Sequence, residues 1–374
     1  MSASASPQLR TLAPRVLVIR RRYLGDIVLL GSALRNLRLH WPAAHLAVLT
    51  EAAYAGILAL NPDVNSALVF PRHVGEWPGF VRSLRRARFT HVLDFDNTDK
   101  TALVSRLSAA IVRATFDREL IKFRYPRLYT HRAKVTNAFY DSHHITETYL
   151  ALLPAIGVPV VSREVRLIPS AADVAIAQRL AGGPKSKIEN RKSRILLHPG
   201  SRSPYRVWPP ARFAAVCDRL QDQLGAQVFL VAGPAEQSLV REIRSHANSH
   251  LIVLDQAFTA PHLAALLAQF DLFLCHDSGP MHIAAAVGTP VVALFGSQNA
   301  TIWRPLGGQH TVLQTMLPCS CFSADELPGP CVPGDSYRSY CVRKLSVEQV
   351  FEAVGAALRR DGSRDKPAPT FGTR

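Results

Sequence analysis

The chain has 374 residues, 48% of them hydrophobic, which is enough for two domains that each bury a core. Lysine and arginine outnumber aspartate and glutamate by 44 to 28, and the formal charge of +16 points to an anionic partner. No apolar run approaches the roughly 18 residues of a membrane span, and the Ser/Ala-rich start lacks a signal peptide's apolar block, so a cytoplasmic location is expected.

The first element is RVLVIR, residues 15–20, a short β-rich run. A turn YLGD and an amphipathic stretch IVLLGSALRNLRLH follow it, a strand-turn-helix opening. Further strands are expected over 46–49, 66–70 and 91–95, with helical stretches at 54–60 and 81–87 between them. Strands alternating with helices imply a parallel, doubly wound sheet. Asp94-Phe95-Asp96 has the form of a D-x-D metal motif but ends a strand, and is read as structural or acceptor-facing.

The segment KFRYPRLYTHRAK carries Lys122 and Arg124 among aromatic side chains, and Arg20, Arg21 and Arg22 form a second basic cluster near Asp26. Cations among aromatics suit nucleic acid, a membrane interface or a phosphorylated glycolipid, and a solvated loop is the plain alternative. His143 and His144 should begin a helix.

The pattern restarts after a Gly/Lys/Ser-rich linker at 181–194, which follows a helix from Ala171. RILLH is the new strand, PGSRSPYRVWPP the turn and ARFAAVCDRLQDQLG the helix, followed by VFLVAG, GPAEQSLVREIRSHA and LIVL. The expected layout is a flexible segment 1–14, domains at 15–175 and 176–345, a helix at 346–360 and a disordered tail at 361–374.

HDSGPMHIAAAVGTPVVALFG, residues 276–296, reads as strand end, sharp turn, capped helix and buried strand. Asp277 and Ser278 can cap the helix that Pro280 opens, leaving the amides of Ser278, Gly279 and Met281 to attract phosphate. An ordinary strand-to-helix connection would look the same. Cys319, Cys321, Cys331 and Cys341 are spaced C-x-C-x9-C-x9-C, unlike a zinc site's C-x2-C pairs, and are read as unliganded thiols in a surface loop. Neither G-x-G-x-x-G nor a P-loop motif occurs.

Four pieces in order, LGDIVLLGSAL, HPGS with RVWPPARF, VAGPAE, and HDSGPMHIAAAVGTPVVALFG with WRP, resemble the heptosyltransferase family, glycosyltransferase family nine. The resemblance spans about residues 15–357. It implies an α/β fold of GT-B type, two Rossmann-like doubly wound domains facing across a cleft. The implied activity is inverting, metal-independent transfer of heptose from ADP-heptose to a lipid A-linked inner-core acceptor. No cofactor or nucleic acid is expected, and the acceptor implies peripheral contact with the anionic inner membrane.

By the same resemblance Asp26 is the base and Arg206, where the family often has lysine, stabilises the leaving diphosphate. Gly200, Ser201, Arg202, Trp208, Gly233, Glu236, Asp277, Ser278, Gly279 and His282 would bind the donor. Gly25, Arg21, Arg22, Lys122 and Arg124 would face the acceptor. Glu236 reads equally well as a ribose ligand or a helix cap, and His282 as a phosphate contact or a packed core residue. Another nucleotide sugar, an epimerase, or a basic nucleic-acid-binding protein are the alternatives.

Overall fold

The computed structural model describes residues 13–119, 125–183, 192–201, 206–315 and 340–362. Two compact units emerge: Met1–Ser170 with Thr259–Pro261 and Thr301–Trp303, and Ala171–Phe258 with His262–Ala300 and Arg304–Arg374.

The first half of the chain opens with β1 (Arg15–Ile19), α1 (Leu24–Leu29), α2 (Gly31–His40) and β2 (His45–Thr50). It continues through α3 (Ala52–Ala55), β3 (Ser66–Val69), α4 (Trp77–Arg86), β4 (His91–Asp94) and α5 (Asp99–Leu107). Last come β5 (Val112–Arg118), β6 (His131–Val135), α6 (Asn137–Ser142) and α7 (Ile145–Leu150). The six strands are all parallel, in the order β3-β2-β1-β4-β5-β6. Such a sheet is covered on both faces, so β1 and β2 are near-continuous apolar runs, and Leu17, Ile19, Ala47, Leu49, Val92 and Leu84 share one core.

The second half starts with α8 (Ala171–Leu180), β7 (Arg194–His198), α9 (Pro210–Leu224), β8 (Gln227–Val231) and α10 (Gln237–His246). It continues with β9 (Ile252–Leu254), α11 (Ala260–Leu267), β10 (Leu272–His276), α12 (Gly279–Ala286) and β11 (Val291–Phe295). It ends with α13 (Ala300–Trp303), β12 (Thr311–Gln314), α14 (Tyr340–Arg343) and α15 (Val347–Gly362). Its six parallel strands run β12-β11-β10-β7-β8-β9. Pro210 opens α9 where an N–H is not needed, and Gly225 closes it at φ 59°. Trp208, Phe213, Leu230, Leu272, Val350 and Val354 pack into one core.

Several local expectations shift. YLGD is not a turn: only Tyr23, at φ 68°, lies outside α1, which takes Gly25 and Asp26 into its first turn. The 54–60 helix becomes α3 and a 3-10 turn at Gly56–Leu60. Helix α4 starts earlier than 81, because Pro78 occupies a first-turn position. Part of the basic stretch is β6, and α15 runs on through Asp361 and Gly362. The remainder of the tail, from residue 363, and the N-terminal segment to residue 12 lie outside the described residues.

Candidate active site

Read from each unit's first strand, both sheets have the strand order 3-2-1-4-5-6, whose direction reverses between strands one and four. Ligands of open α/β sheets gather beyond the carboxyl ends of strands at that reversal. In the first unit it lies between β1 and β4, which run side by side with Ile19 opposite Asp94. In the second it lies between β7 and β10, with His198 opposite Cys275. The segments bearing Asp26, Asp96, Gly200 and Asp277 all follow these four strands.

Asp26 is only 6% exposed, in the first turn of α1. Its Oδ1 accepts hydrogen bonds from Arg20 Nη2 and, at 2.7 Å, from the Tyr149 hydroxyl. Both contacts fall on one oxygen, Oδ1, and leave Oδ2 outside them. Arg20 also reaches Asp96 Oδ1 at 3.2 Å and the Phe95 carbonyl at 3.0 Å. Burial lowers the pKa of Arg20, but Tyr149, Asp26 and Asp96 together raise it further, so the cation is locked in.

The D-x-D segment supports this cluster. Burial pushes the Asp94 carboxyl up to about 6, against the Tyr129 hydroxyl that it accepts at 2.5 Å. Its Oδ1 also accepts the amides of Asp96 and Asn97 at 3.0 and 3.1 Å, which folds the loop so that Asp96 faces Arg20. Tyr129 is thus a buried strut, not an exposed stacking ring. His144 caps α7, the helix that carries Tyr149.

In the second unit Arg206 Nη1 pairs with Asp277 Oδ2 at 3.0 Å. Ser278 stands at the N-cap of α12 but makes no side-chain cap bond, contrary to the expected capping. The Met281 amide is also engaged, donating to the Ser278 carbonyl at 3.1 Å, so it is not an open anion donor. Gly288, at φ 85°, follows the C-cap of α12 in the left-handed conformation that glycine adopts without strain. Among the described residues, buried His198 Nδ1, Ser201 Oγ and Ser278 Oγ have no hydrogen-bond partner. A buried polar atom without a partner calls for an explanation, such as strain, an ordered water or ion, or a catalytic role.

His276 is neutral, its pKa lowered to about 3 by burial, and its Nε2 accepts the Trp208 amide at 2.8 Å, which places the proton on Nδ1. Burial likewise lowers His198, against the pull of Glu236. Glu236 behaves as a cap: its Oε2 accepts the Gly233 amide at 2.9 Å. Gly200 leaves room for that carboxylate, since a Cβ there would sit 2.6 Å from Glu236 Cγ.

Other expected site residues are placed differently. Trp208 is 0% exposed, its ring against Phe213 and its Nε1 donating to the Leu345 carbonyl at 3.0 Å, so it anchors the core and offers no surface to a donor. Arg21 is turned onto Glu51 at 2.8 Å and stacked over Phe70, a structural role, and Arg22 shares Glu51. Gly25 is buried within α1, and His282 is buried in α12. Lys122, Arg124, Arg202, Cys319, Cys321 and Cys331 lie outside the described residues. Cys341 is buried in the second core, not in a surface loop. Among the described residues no group of three or more His, Cys, Asp or Glu could hold a metal ion, and no helix is long and apolar enough to cross a membrane. Sequence reasoning did not single out Arg20 or Tyr149 as partners of Asp26: Arg20 is one of three adjacent arginines, and no local motif marks Tyr149.

The chain is similar to lipopolysaccharide heptosyltransferase 3 of Escherichia coli, 27% identical over 299 residues covering 76% of this chain and 84% of that protein. Among solved structures, a glycosyl transferase family 9 protein from Veillonella parvula matches with a TM-score of 0.78 at 21% identity, covering 93% of this chain and 98% of that one. The E. coli ADP-heptose lps heptosyltransferase II matches with a TM-score of 0.74 at 22% identity, covering 93% and 100%. The family model for glycosyltransferase family 9 (heptosyltransferase) matches residues 78–327, about two thirds of the sequence. The chain belongs to this family and is a glycosyltransferase.

Proposed function

We propose that the protein transfers heptose from ADP-heptose to a lipid A-linked inner-core acceptor of lipopolysaccharide, with inversion, at the cytoplasmic face of the inner membrane. The observation that carries this reading is the set of buried polar atoms unpartnered among the described residues, His198 Nδ1, Ser201 Oγ and Ser278 Oγ, beside the Arg206–Asp277 pair. These donors, with the Gly279 amide at the start of α12, suit a diphosphate carrying a hydroxyl-rich sugar. The names of the relatives supply the heptose, the lipopolysaccharide and the ADP.

In this reading Asp26 Oδ2 takes the proton of an acceptor hydroxyl as its oxygen attacks the anomeric carbon. The bond from that carbon to the diphosphate oxygen breaks, and ADP leaves with the electron pair. Arg206 and the helix amides meet the developing charge. A single displacement inverts the centre. In this reading proton transfer comes late, when the attacking oxygen is already acidified.

Replacing Asp26 with Asn should lower kcat by roughly a hundredfold to ten-thousandfold, the usual worth of a general base, with ADP-heptose affinity nearly intact. Undiminished turnover would remove Asp26 from the role. A melting-temperature screen of ADP-, UDP- and GDP-sugars tests the donor, and stabilisation by a UDP- or GDP-sugar alone would reassign it.

A further inference from the structure

The first unit presents a second basic surface, away from Asp26 along the sequence and unused by the chemistry above. Helix α4 buries Leu84 and turns Trp77 and Phe80 inward, where Trp77 meets Phe70 edge-on at 5.5 Å and Phe80 at 5.8 Å. Its outer stripe, Pro78, Val81, Arg82, Arg85 and Arg86, follows the helical spacing of three and four. With Arg88 these residues line an open groove of about 800 Å³.

None of the four arginines makes an ion pair among the described residues, and Arg85 Nε donates a long 3.5 Å bond to the Leu107 carbonyl. Elsewhere in the unit Arg20, Arg21, Arg22, Arg35 and Arg163 each face a carboxylate. Like charges at this spacing repel, so the helix keeps them at a cost that an anionic partner would offset. The acidic neighbour Glu76 is turned back, its Oε2 accepting the Arg72 amide at 2.9 Å.

Aliphatic side chains flank the charges. Val74, just before α4, is 87% exposed, and Ile111, in the turn after the α5 end that Arg85 touches, is 61% exposed. Cations mixed with exposed aliphatic groups fit a lipid headgroup layer. Nucleic acid is the poorer fit, because Trp77 and Phe80 are committed to Phe70 and offer no ring for base stacking.

We propose that the arginine face of α4, with Val74 at its edge, is the surface by which this protein lies on a membrane carrying anionic phospholipid. The inference goes beyond the transfer reaction and does not depend on which sugar is moved.

The test is flotation of the full chain with vesicles of phosphatidylcholine alone, or mixed with phosphatidylglycerol, at low and high salt. The expected result is binding to the mixed vesicles only, weakened by salt. Each arginine near an anionic surface is worth roughly fivefold, so Arg82, Arg85, Arg86 and Arg88 all replaced by Gln should lower partitioning by on the order of several hundredfold. If that variant fails to fold, the pair Arg82→Gln and Arg86→Gln should lower it by roughly thirtyfold. Replacing Arg241 and Arg244 of α10, exposed arginines of the other unit, should leave it almost unchanged. Donor-induced thermal stabilisation should be the same in every variant, which separates failure of the surface from failure of the transferase reading. Equal flotation of the parent and the α4 variant, an equal loss in the α10 pair, or preferential capture by DNA of equal phosphate content would overturn the proposal.

Discussion

Asp26 and Arg206 are each held by a charged partner, and in each case the partner tells what the residue can do. The Tyr149 hydroxyl and Arg20 both grip Asp26 Oδ1, which fixes the carboxylate's rotation and leaves Oδ2 outside both contacts. A hydrogen bond to a charged group is worth about 1.5–3 kcal/mol, so Tyr149→Phe should reduce kcat by roughly tenfold to a hundredfold, with donor affinity unchanged. Steady-state kinetics with separate donor titration would check it, and a change in donor affinity alone would refute the positioning role. Arg206→Ala should cost roughly a hundredfold to a thousandfold in kcat, the usual worth of a lost transition-state donor. Arg206→Lys should recover much of it, because the pair with Asp277 uses a single nitrogen, Nη1. Asp26 and Arg206 could be found in the sequence because each adjoins a glycine or Trp-Pro motif. Tyr149 could not, being 123 residues from the carboxylate it orients, with no local pattern to connect them.

At the level of elements, the turn after β7 and the start of α10 are built around one carboxylate. Glu236 satisfies the Gly233 amide and fills the space that Gly200 leaves. Glu236→Ala should cost about 1 kcal/mol, typical of a lost cap, and Gly200→Ala alone should cost at least as much by expelling the carboxylate. Combined, the two changes should cost clearly less than their sum, a coupling that denaturant titration of the four proteins would measure. Simple addition would mean that the two residues are independent. The strands were legible because buried parallel strands are short unbroken apolar runs, and α9 because proline and glycine bracket it. The start of α1 was not, because the left-handed residue there is Tyr23, which carries no turn signature. Trp208 misled for a related reason: it borders a binding motif but serves the core.

For the whole molecule, the strand order common to both units explains why the sites sit where they do, and the buried histidines govern its response to acid. Burial lowers His276 to about 3, and His91 and His310 each to about 4. Their folded pKa values lie below the ordinary 6.5, so the unfolded chain takes up protons that the fold refuses. Stability present above that value is lost as pH falls, by about 2 kcal/mol from His276 alone near pH 5. Asp94, raised from 3.8 to about 6, works the opposite way and favours the fold as pH drops through that interval. The denaturation midpoint should therefore fall between roughly pH 7 and pH 5, and fall less in His276→Gln. A parent protein more stable at the lower pH would contradict this balance. Doubly wound topology has one more result, which concerns the order of synthesis. Neighbouring strands at each reversal pair Ile19 with Asp94 and His198 with Cys275, so neither constellation exists until a long intervening stretch has been made and docked. A nascent chain stalled before its fourth strand holds Asp26 without the loop that steadies Arg20, and should emerge from the ribosome chemically inert.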